Sequence, residues 1–267
     1  DAMQYFKIKL LPEPLPPDSG TGYITPVHKN NVTDYRFPNY INNDSILVVK
    51  RSYREIHAFY LVANGKEKRI KVMDWTIDDY YSYRNGKVVY ATYQPDARWS
   101  NRDYSVIKLL DIYTGEQQQV TFRSKYFSPD INTEGTEILA VQVNPDGTNN
   151  LSRLNAIGGN LILKIPNQHN YFFTQTKYLN PNTAVSAVRN STGKMALVKV
   201  DLTTGITENL TPFSFNVLGY PFVRKDTVYF TAMDDDADKI FAVTLKNKKI
   251  YQVTDNVNGV YQPVVNE

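Results

Sequence analysis

Five short apolar runs stand out of a largely polar chain: "SILVV" at Ser45, "KVVYATY" at Lys87, "TEILAVQV" at Thr136, "AVSAV" at Ala184 and "TVYFTAM" at Thr227. Each has the length of a buried strand, and no helical period competes with them. An aromatic or Pro-bearing segment and a polar turn precede each run: "FPNYINND", "YYSYRNG", "YFSPDINTEG", "YLNPNT" and "YPFVRKD". A second strand follows and ends in a hairpin turn, "ANGK" at Ala63, "YTGE" at Tyr113, "IGGN" at Ile157, "TTGI" at Thr203 and "KNKK" at Lys246. Gly suits such turns because it accepts positive φ at no steric cost. A further short strand closes the unit, ending in "QQVT" at Thr121, "ENLT" at Thr211 and "YQVT" at Thr254.

Register turns this pattern into a fold. Turn positions Gly65, Gly115, Gly159, Gly205 and Lys248 are spaced by 50, 44, 46 and 43 residues, near the roughly 40–45 of four-stranded propeller blades. The expectation is an all-β chain forming a β-propeller of four-stranded antiparallel blades. In it, "YFSPDINTEGTEILAV" at Tyr126 is the inner hairpin of one blade, with Pro129 and Asp130 in its turn. Before the first repeat, "QYFKIKLL" and "YITPVHKNNVT" read as third and fourth strands joined through the Pro-rich "PEPLPPDSGTG"; after the fifth, "GVYQPVVNE" reads as a first strand. Because a closed ring leaves only short protected edges, six blades are expected, the last assembled from both termini. Seven blades, or a segment of a longer propeller, are the alternatives. The single domain 1–267 then divides into closing-blade strands 1–33, blades 34–73, 74–121, 122–166, 167–211 and 212–254, and a last strand 255–267.

With "YFSPDINTEGTEILAV", "LSRLNAIGGNLILKI" and "DIYTGEQQQVT", the repeats resemble the PD40 type of WD40-like repeat of TolB-like propellers, over about residues 44–267. Similar blades form the non-catalytic propellers of tricorn and prolyl-oligopeptidase-type proteases. The resemblance implies a propeller and transmits no partner or chemistry, since fold and function separate easily. Together with the cysteine-free sequence and chain ends that fall inside a blade, it implies a bacterial, exported protein of the periplasm or cell surface, joined to further domains of the same native chain.

Composition and charge narrow the functions. Lys plus Arg at 30 against Asp plus Glu at 27 gives +3 without a dense basic run, so no nucleic-acid partner is expected. The apolar runs are far too short to insert this segment directly into a membrane. Zero Cys removes disulfides, thiolate metal sites and Cys nucleophiles. His28, His57 and His169 lie in unrelated contexts, and neither a zinc-binding His pair, a nucleophile elbow nor a phosphate loop occurs. No catalytic residue and no cofactor are expected. "DDDAD" at Asp234 concentrates carboxylates, and Asp234, Asp236 and Asp238 are the residues that would meet a Ca²⁺ ion; without the spaced ligands and Gly of an EF-hand loop, a solvated acidic hairpin is the expectation. Asn-x-Ser/Thr sequons stand at Asn31, Asn43, Asn150, Asn190 and Asn209.

Two functions fit. One is a scaffold binding a protein, peptide or glycan on one face of the ring; the alternative is a glycoside hydrolase or lyase at the central channel. Glycosidases need paired carboxylates at fixed separation, and the inner strands supply no recurring Asp or Glu, which favours the scaffold. With blade strands A to D running outward from the axis, B-to-C loops and D-to-A links share one face. The second blade's loop, "QPDARWSNRD" at Gln94, carries Arg98, Trp99 and Arg102, and aromatic and Arg side chains most often anchor interfaces. The first blade offers Arg51, Tyr53 and Arg54, the third Asp146, Asn149 and Arg153, and the fifth Asp234, Asp235 and Asp236. The competing reading of Trp99 folds it back to cap its own blade, since burial of a large apolar side chain gains about 1.5–3 kcal/mol.

Overall fold

A computed structural model describes residues 22, 24–76, 78–99, 101–234, 237–255 and 259–266. Its twenty strands form five four-stranded sheets. Blade 1 holds β1 (Thr33–Asn42), β2 (Ser45–Ser52), β3 (Ala58–Ala63) and β4 (Lys66–Val72); blade 2 holds β5 (Tyr81–Arg84), β6 (Lys87–Pro95), β7 (Asp103–Asp111) and β8 (Gln117–Gln119). Blade 3 holds β9 (Tyr126–Ile131), β10 (Glu137–Val143), β11 (Asn149–Asn155) and β12 (Leu161–Lys164). Blade 4 holds β13 (Phe172–Asn180), β14 (Thr183–Arg189), β15 (Met195–Asp201) and β16 (Thr207–Asn209), and blade 5 holds β17 (Leu218–Arg224), β18 (Thr227–Asp234), β19 (Ala237–Thr244) and β20 (Ile250–Gln252). All in-blade pairings are antiparallel, and no helix occurs among the described residues.

The sequence repeats act as repeated hydrogen-bonding devices. In the C-to-D turns, Gly115, Gly159, Gly205 and Lys248 all take positive φ. Their N–H groups donate to the carbonyls of Asp111, Asn155, Asp201 and Thr244, four residues back. The Asp111 and Asp201 carboxylates accept from the next backbone N–H groups inside the turn, the local competition with the ladder that makes Asp a turn residue. The Thr two residues beyond strand D also repeats. Thr121, Thr211 and Thr254 each accept through Oγ1 from a strand C backbone N–H, of Ile107, Leu197 and Ile240, at 2.9, 2.9 and 3.1 Å. Between blades, the apolar runs pack face to face: Leu139, Leu151, Phe173 and Val198 join blades 3 and 4, while Phe59, Tyr81 and Tyr90 join blades 1 and 2 in edge-on contact.

Two expectations need correction. First, the propeller has five blades, not six or seven, and no sixth sheet forms among the described residues. Residues 24–32 are turn and coil, and residues 259–266 pair with no strand; the segment "QYFKIKLL" lies outside the described residues. Instead of making a ladder, residues 259–266 string across from blade 5 to blade 1. Val260 N–H donates to the Asp238 carbonyl, Gln262 N–H to Thr231 Oγ1, and Gln262 Oε1 accepts from Phe37 N–H at 2.8 Å.

Second, Ser128, Pro129 and Asp130 lie inside β9, and the hairpin turn comes later, around Asn132 and Gly135. Ser128 occupies positive φ within a register shift of the inner strand. Positive φ recurs at Phe37, Asp79, Gln175, Tyr220 and Gln262, at Phe37, Gln175 and Tyr220 again within a register shift of the inner strand, and Pro follows four of these six residues. Such bulges bend and twist a strand locally, and here they line up around the channel. The signature is therefore an inner-strand bulge, not a turn.

Candidate functional site

The loop from β6 to β7 builds the most distinctive surface. Asp96 organises it: one carboxylate oxygen accepts from the backbone N–H groups of Arg98 and Trp99 at 2.8 and 3.1 Å, and the other from the Tyr104 hydroxyl at 2.9 Å. Those contacts, the Arg98 N–H first and the Tyr104 hydroxyl next, hold the Asp96 carboxyl below its usual pKa. The backbone closes the loop with Arg102 N–H donating to the Trp99 carbonyl and Asp96 N–H to the Arg102 carbonyl, both at 2.9 Å. Trp99 is thereby held outward, 61% exposed, so it does not fold back onto its own blade.

Arg102 lies over the Tyr104 ring at 5.6 Å, an attraction between guanidinium and ring quadrupole that fixes the side chain. The link from β8 to β9 completes the surface with Phe122, 71% exposed, and Arg123 at positive φ. Together these residues line an open groove of about 740 Å³ in which Asp96 is the one carboxylate among the described lining residues against Arg98, Arg102 and Arg123. Phe122 and Arg123 escaped sequence reading because they follow the strand-ending Thr121. An aromatic and an Arg placed directly after the capping Thr was the available signal.

A second groove of about 500 Å³ opens between blades 1 and 2 on the same face. Its floor is Asp79, which takes positive φ and gathers Arg51 at 3.1 Å, His57 at 3.6 Å, Arg36 at 3.9 Å and the Thr76 hydroxyl at 3.0 Å. Trp75, 71% exposed, stands edge-on to Tyr93 at its rim. Of the first-blade residues expected here, Arg51 belongs to this ion-pair cluster, whereas Tyr53 and Arg54 are exposed on the loop beyond β2.

The expected third- and fifth-blade residues do not join this surface. Asp146 caps its own turn, accepting from Thr148 N–H and Oγ1. Asn149 is buried, its side-chain oxygen accepting from Phe173 N–H of blade 4, and Arg153 is locked along the sheet to Glu137. Asp234 pairs with Lys239 at 2.8 Å. Asp235 and Asp236 lie outside the described residues, so the Asp234, Asp236 and Asp238 set has no described geometry; the Asp238 carbonyl is engaged by Val260.

The channel carries its own charges. Asp130, its side chain 2% exposed, accepts from Tyr178 N–H at 2.8 Å and pairs with Lys177 at 3.5 Å and Arg84 at 3.4 Å. Lys177 also donates to Ser82 Oγ. With its carboxylate shared between two cations and a backbone N–H, Asp130 joins blades 2, 3 and 4.

No family model and no curated protein sequence matches the chain. Solved structures do. TolB from Acinetobacter baumannii superposes with TM-score 0.61 at 12% identity, over 82% of this chain and 53% of its own. Kuenenia stuttgartiensis hydrazine synthase gives TM-score 0.63 at 13% identity, over 85% and 40%. An oligogalacturonate lyase in complex with manganese gives 0.56 at 13%, over 85% and 68%. The chain spans about half the length of the TolB chain it matches. At such identities the likeness concerns fold, and the fold is that of a TolB-like β-propeller.

Proposed function

We propose that this propeller is a non-catalytic binding module whose blade-2 groove takes an acidic, partly apolar segment of a partner protein or peptide. The observation that carries the reading is the pairing of two outward aromatic side chains, Trp99 and Phe122, with Arg98, Arg102 and Arg123 on a loop already held in shape by Asp96. A preorganised loop loses little entropy on binding, and Trp and Arg lead the residues that dominate interface energies. The TolB-like fold and the cysteine-free sequence support export to the periplasm or cell surface. Fractionation of the full-length native protein tests that location, and recovery in the cytosol refutes it.

The binding test is a peptide array graded in acidic and aromatic content, read against an Arg98→Ala, Trp99→Ala, Arg102→Ala variant of unchanged melting temperature. Preferential capture of acidic aromatic peptides, lost in the variant, is the expected result; equal capture by both proteins refutes the assignment. A glycoside panel with product detection addresses the lyase or hydrolase alternative, for which turnover is the deciding result.

A further inference from the structure

Each blade ends outward in a D strand, and blade 1 ends differently from the rest. Its β4 runs 7 residues, whereas β8, β12, β16 and β20 run 3, 4, 3 and 3. Very short outer strands blunt a sheet edge, while a long one presents a row of N–H and C=O groups with which another chain can pair. Among the described residues no strand lies beyond β4. Its pairing with β3 is regular from Ala63↔Lys66 to Tyr60↔Arg69, and the register shifts only after that, at Ile70.

The same strand concentrates positive charge. Residues 33–72 hold eight Lys or Arg against four Asp or Glu, a net +4 where the whole chain carries +3. On β4 itself, Lys66, Lys68, Arg69 and Lys71 stand against one carboxylate, Glu67, and that carboxylate is committed inward to Lys50 at 2.7 Å and to the Tyr35 hydroxyl. Lys66, Lys68 and Arg69 are exposed and enter no ion pair among the described residues. Lys71 donates to the Gly115 carbonyl of blade 2 at 3.3 Å. Because side chains alternate along a strand that rises about 3.3 Å per residue, Lys66 and Lys68 stand roughly 7 Å apart on the side opposite Glu67.

From this we infer that the outer edge of β4 is a second interaction surface, which takes up an extended acidic segment of a partner protein as a fifth strand of blade 1. Strand addition draws its affinity from main-chain hydrogen bonds and its specificity from alternate side chains. Opposite charges across a strand pair attract and like charges repel, so Lys66 and Lys68 select a strand with Asp or Glu at every second position and turn away a basic one. The lysines that keep this long edge from pairing with the same edge of another copy thereby define its partner. The surface shares no residue with the blade-2 groove.

Fluorescence anisotropy of a labelled peptide of alternating Glu and Thr, at low ionic strength, tests the surface. Thr favours the extended state, and the peptide has no aromatic residue with which to enter the blade-2 groove. Saturable one-to-one binding is expected, at least about tenfold weaker for a Gln-Thr peptide and for the Glu-Thr peptide N-methylated throughout, which keeps its charges but loses its backbone donors. Lys66→Glu combined with Lys68→Glu is expected to weaken the Glu-Thr peptide by at least about tenfold, while the Arg98→Ala, Trp99→Ala, Arg102→Ala variant binds it unchanged. Absence of saturable binding, or undiminished affinity in the Lys66→Glu, Lys68→Glu variant, overturns the surface. Equal binding of the N-methylated peptide reduces the contact to charge alone and overturns strand addition; loss in the blade-2 variant moves the peptide to the other site and equally overturns it. If the double Glu variant fails to fold, Lys66→Gln with Lys68→Gln decides by the same comparison.

Discussion

Replacing Asp130 with Ala leaves Lys177, itself only 17% exposed in its side chain, with an uncompensated charge between blades. It also removes the acceptor of Tyr178 N–H. Removing one partner of a buried ion pair costs about 3–5 kcal/mol, and an orphaned buried N–H about 1–3 kcal/mol. The two losses overlap because the chain relaxes around one gap, and Arg84 is open enough to solvent to recover hydration. The expected destabilisation is therefore about 3–5 kcal/mol. For a chain of this length that lowers the melting temperature by roughly 10 °C, at about 2–4 °C per kcal/mol. The assay is urea unfolding followed by circular dichroism and by fluorescence, with coincident transitions required before a free energy is taken. Asp130→Asn, Lys177→Met and their combination close a double-mutant cycle in which the double variant, with both charges removed, is expected to show a coupling of about 2–3 kcal/mol. Destabilisation by Asp130→Ala of less than about 1 kcal/mol, or a coupling near zero, would refute the claim that the buried Lys177 charge is what Asp130 neutralises.

Gly205 takes φ +74°, and a Cβ there would be driven into the Pro166 carbonyl of the preceding blade, whereas Gly65 at φ +69° faces open space; Gly205→Ala is expected to cost at least about 1 kcal/mol more than Gly65→Ala, which meets only the left-handed penalty of about 1–2 kcal/mol, and equal costs in urea unfolding contradict the packing. Burial opposes the charge of Glu67, but its bonds from Lys50 and Tyr35 outweigh that and set its pKa below the ordinary 4.5. Stability from this group is thus complete above about pH 4.5 and is lost as pH falls through the lowered value; Glu67→Gln is expected to flatten that acid limb, and an unchanged limb refutes it. The only two tryptophans, Trp75 and Trp99, are both more than half exposed, so acrylamide is expected to quench the native protein nearly as well as the unfolded one, and a strongly protected native emission contradicts the geometry.

The blades were legible because their turns need a left-handed residue at one fixed place, and Gly65, Gly115, Gly159 and Gly205 advertise it. Lys248 shows that spacing carries the signal where Gly is missing. Ser128, Pro129 and Asp130 misled because turn chemistry and bulge chemistry draw on the same residues, and only the packing of inner strands around an axis tells them apart. Ring size was not legible either: residues 259–266 do repeat the positive φ before Pro at Gln262, yet no partner strand joins them among the described residues. In the site, Arg98, Trp99 and Arg102 were readable from an overlong loop. Asn149 and Arg153 were misplaced because β11 begins at Asn149, so the connection from β10 is only a tight turn.

The segment that crosses from blade 5 to blade 1 also bears on the order of folding. Within a blade, ladders join residues some tens of positions apart at most, but the bonds from Phe37 to Gln262 and from Asn266 to Asn43 span 225 and 223 residues. Closing a loop of about 225 residues costs roughly 2 kcal/mol more than closing one of about 20, and here a handful of hydrogen bonds must meet that cost where each hairpin has a full ladder. The expectation is that blades assemble before the junction between the first and last, which the Phe37–Tyr220 ring contact and these few bonds close. Amide exchange at Phe37, Val260 and Gln262 is expected to run ahead of exchange in the sheets on either side, and equal protection contradicts that order.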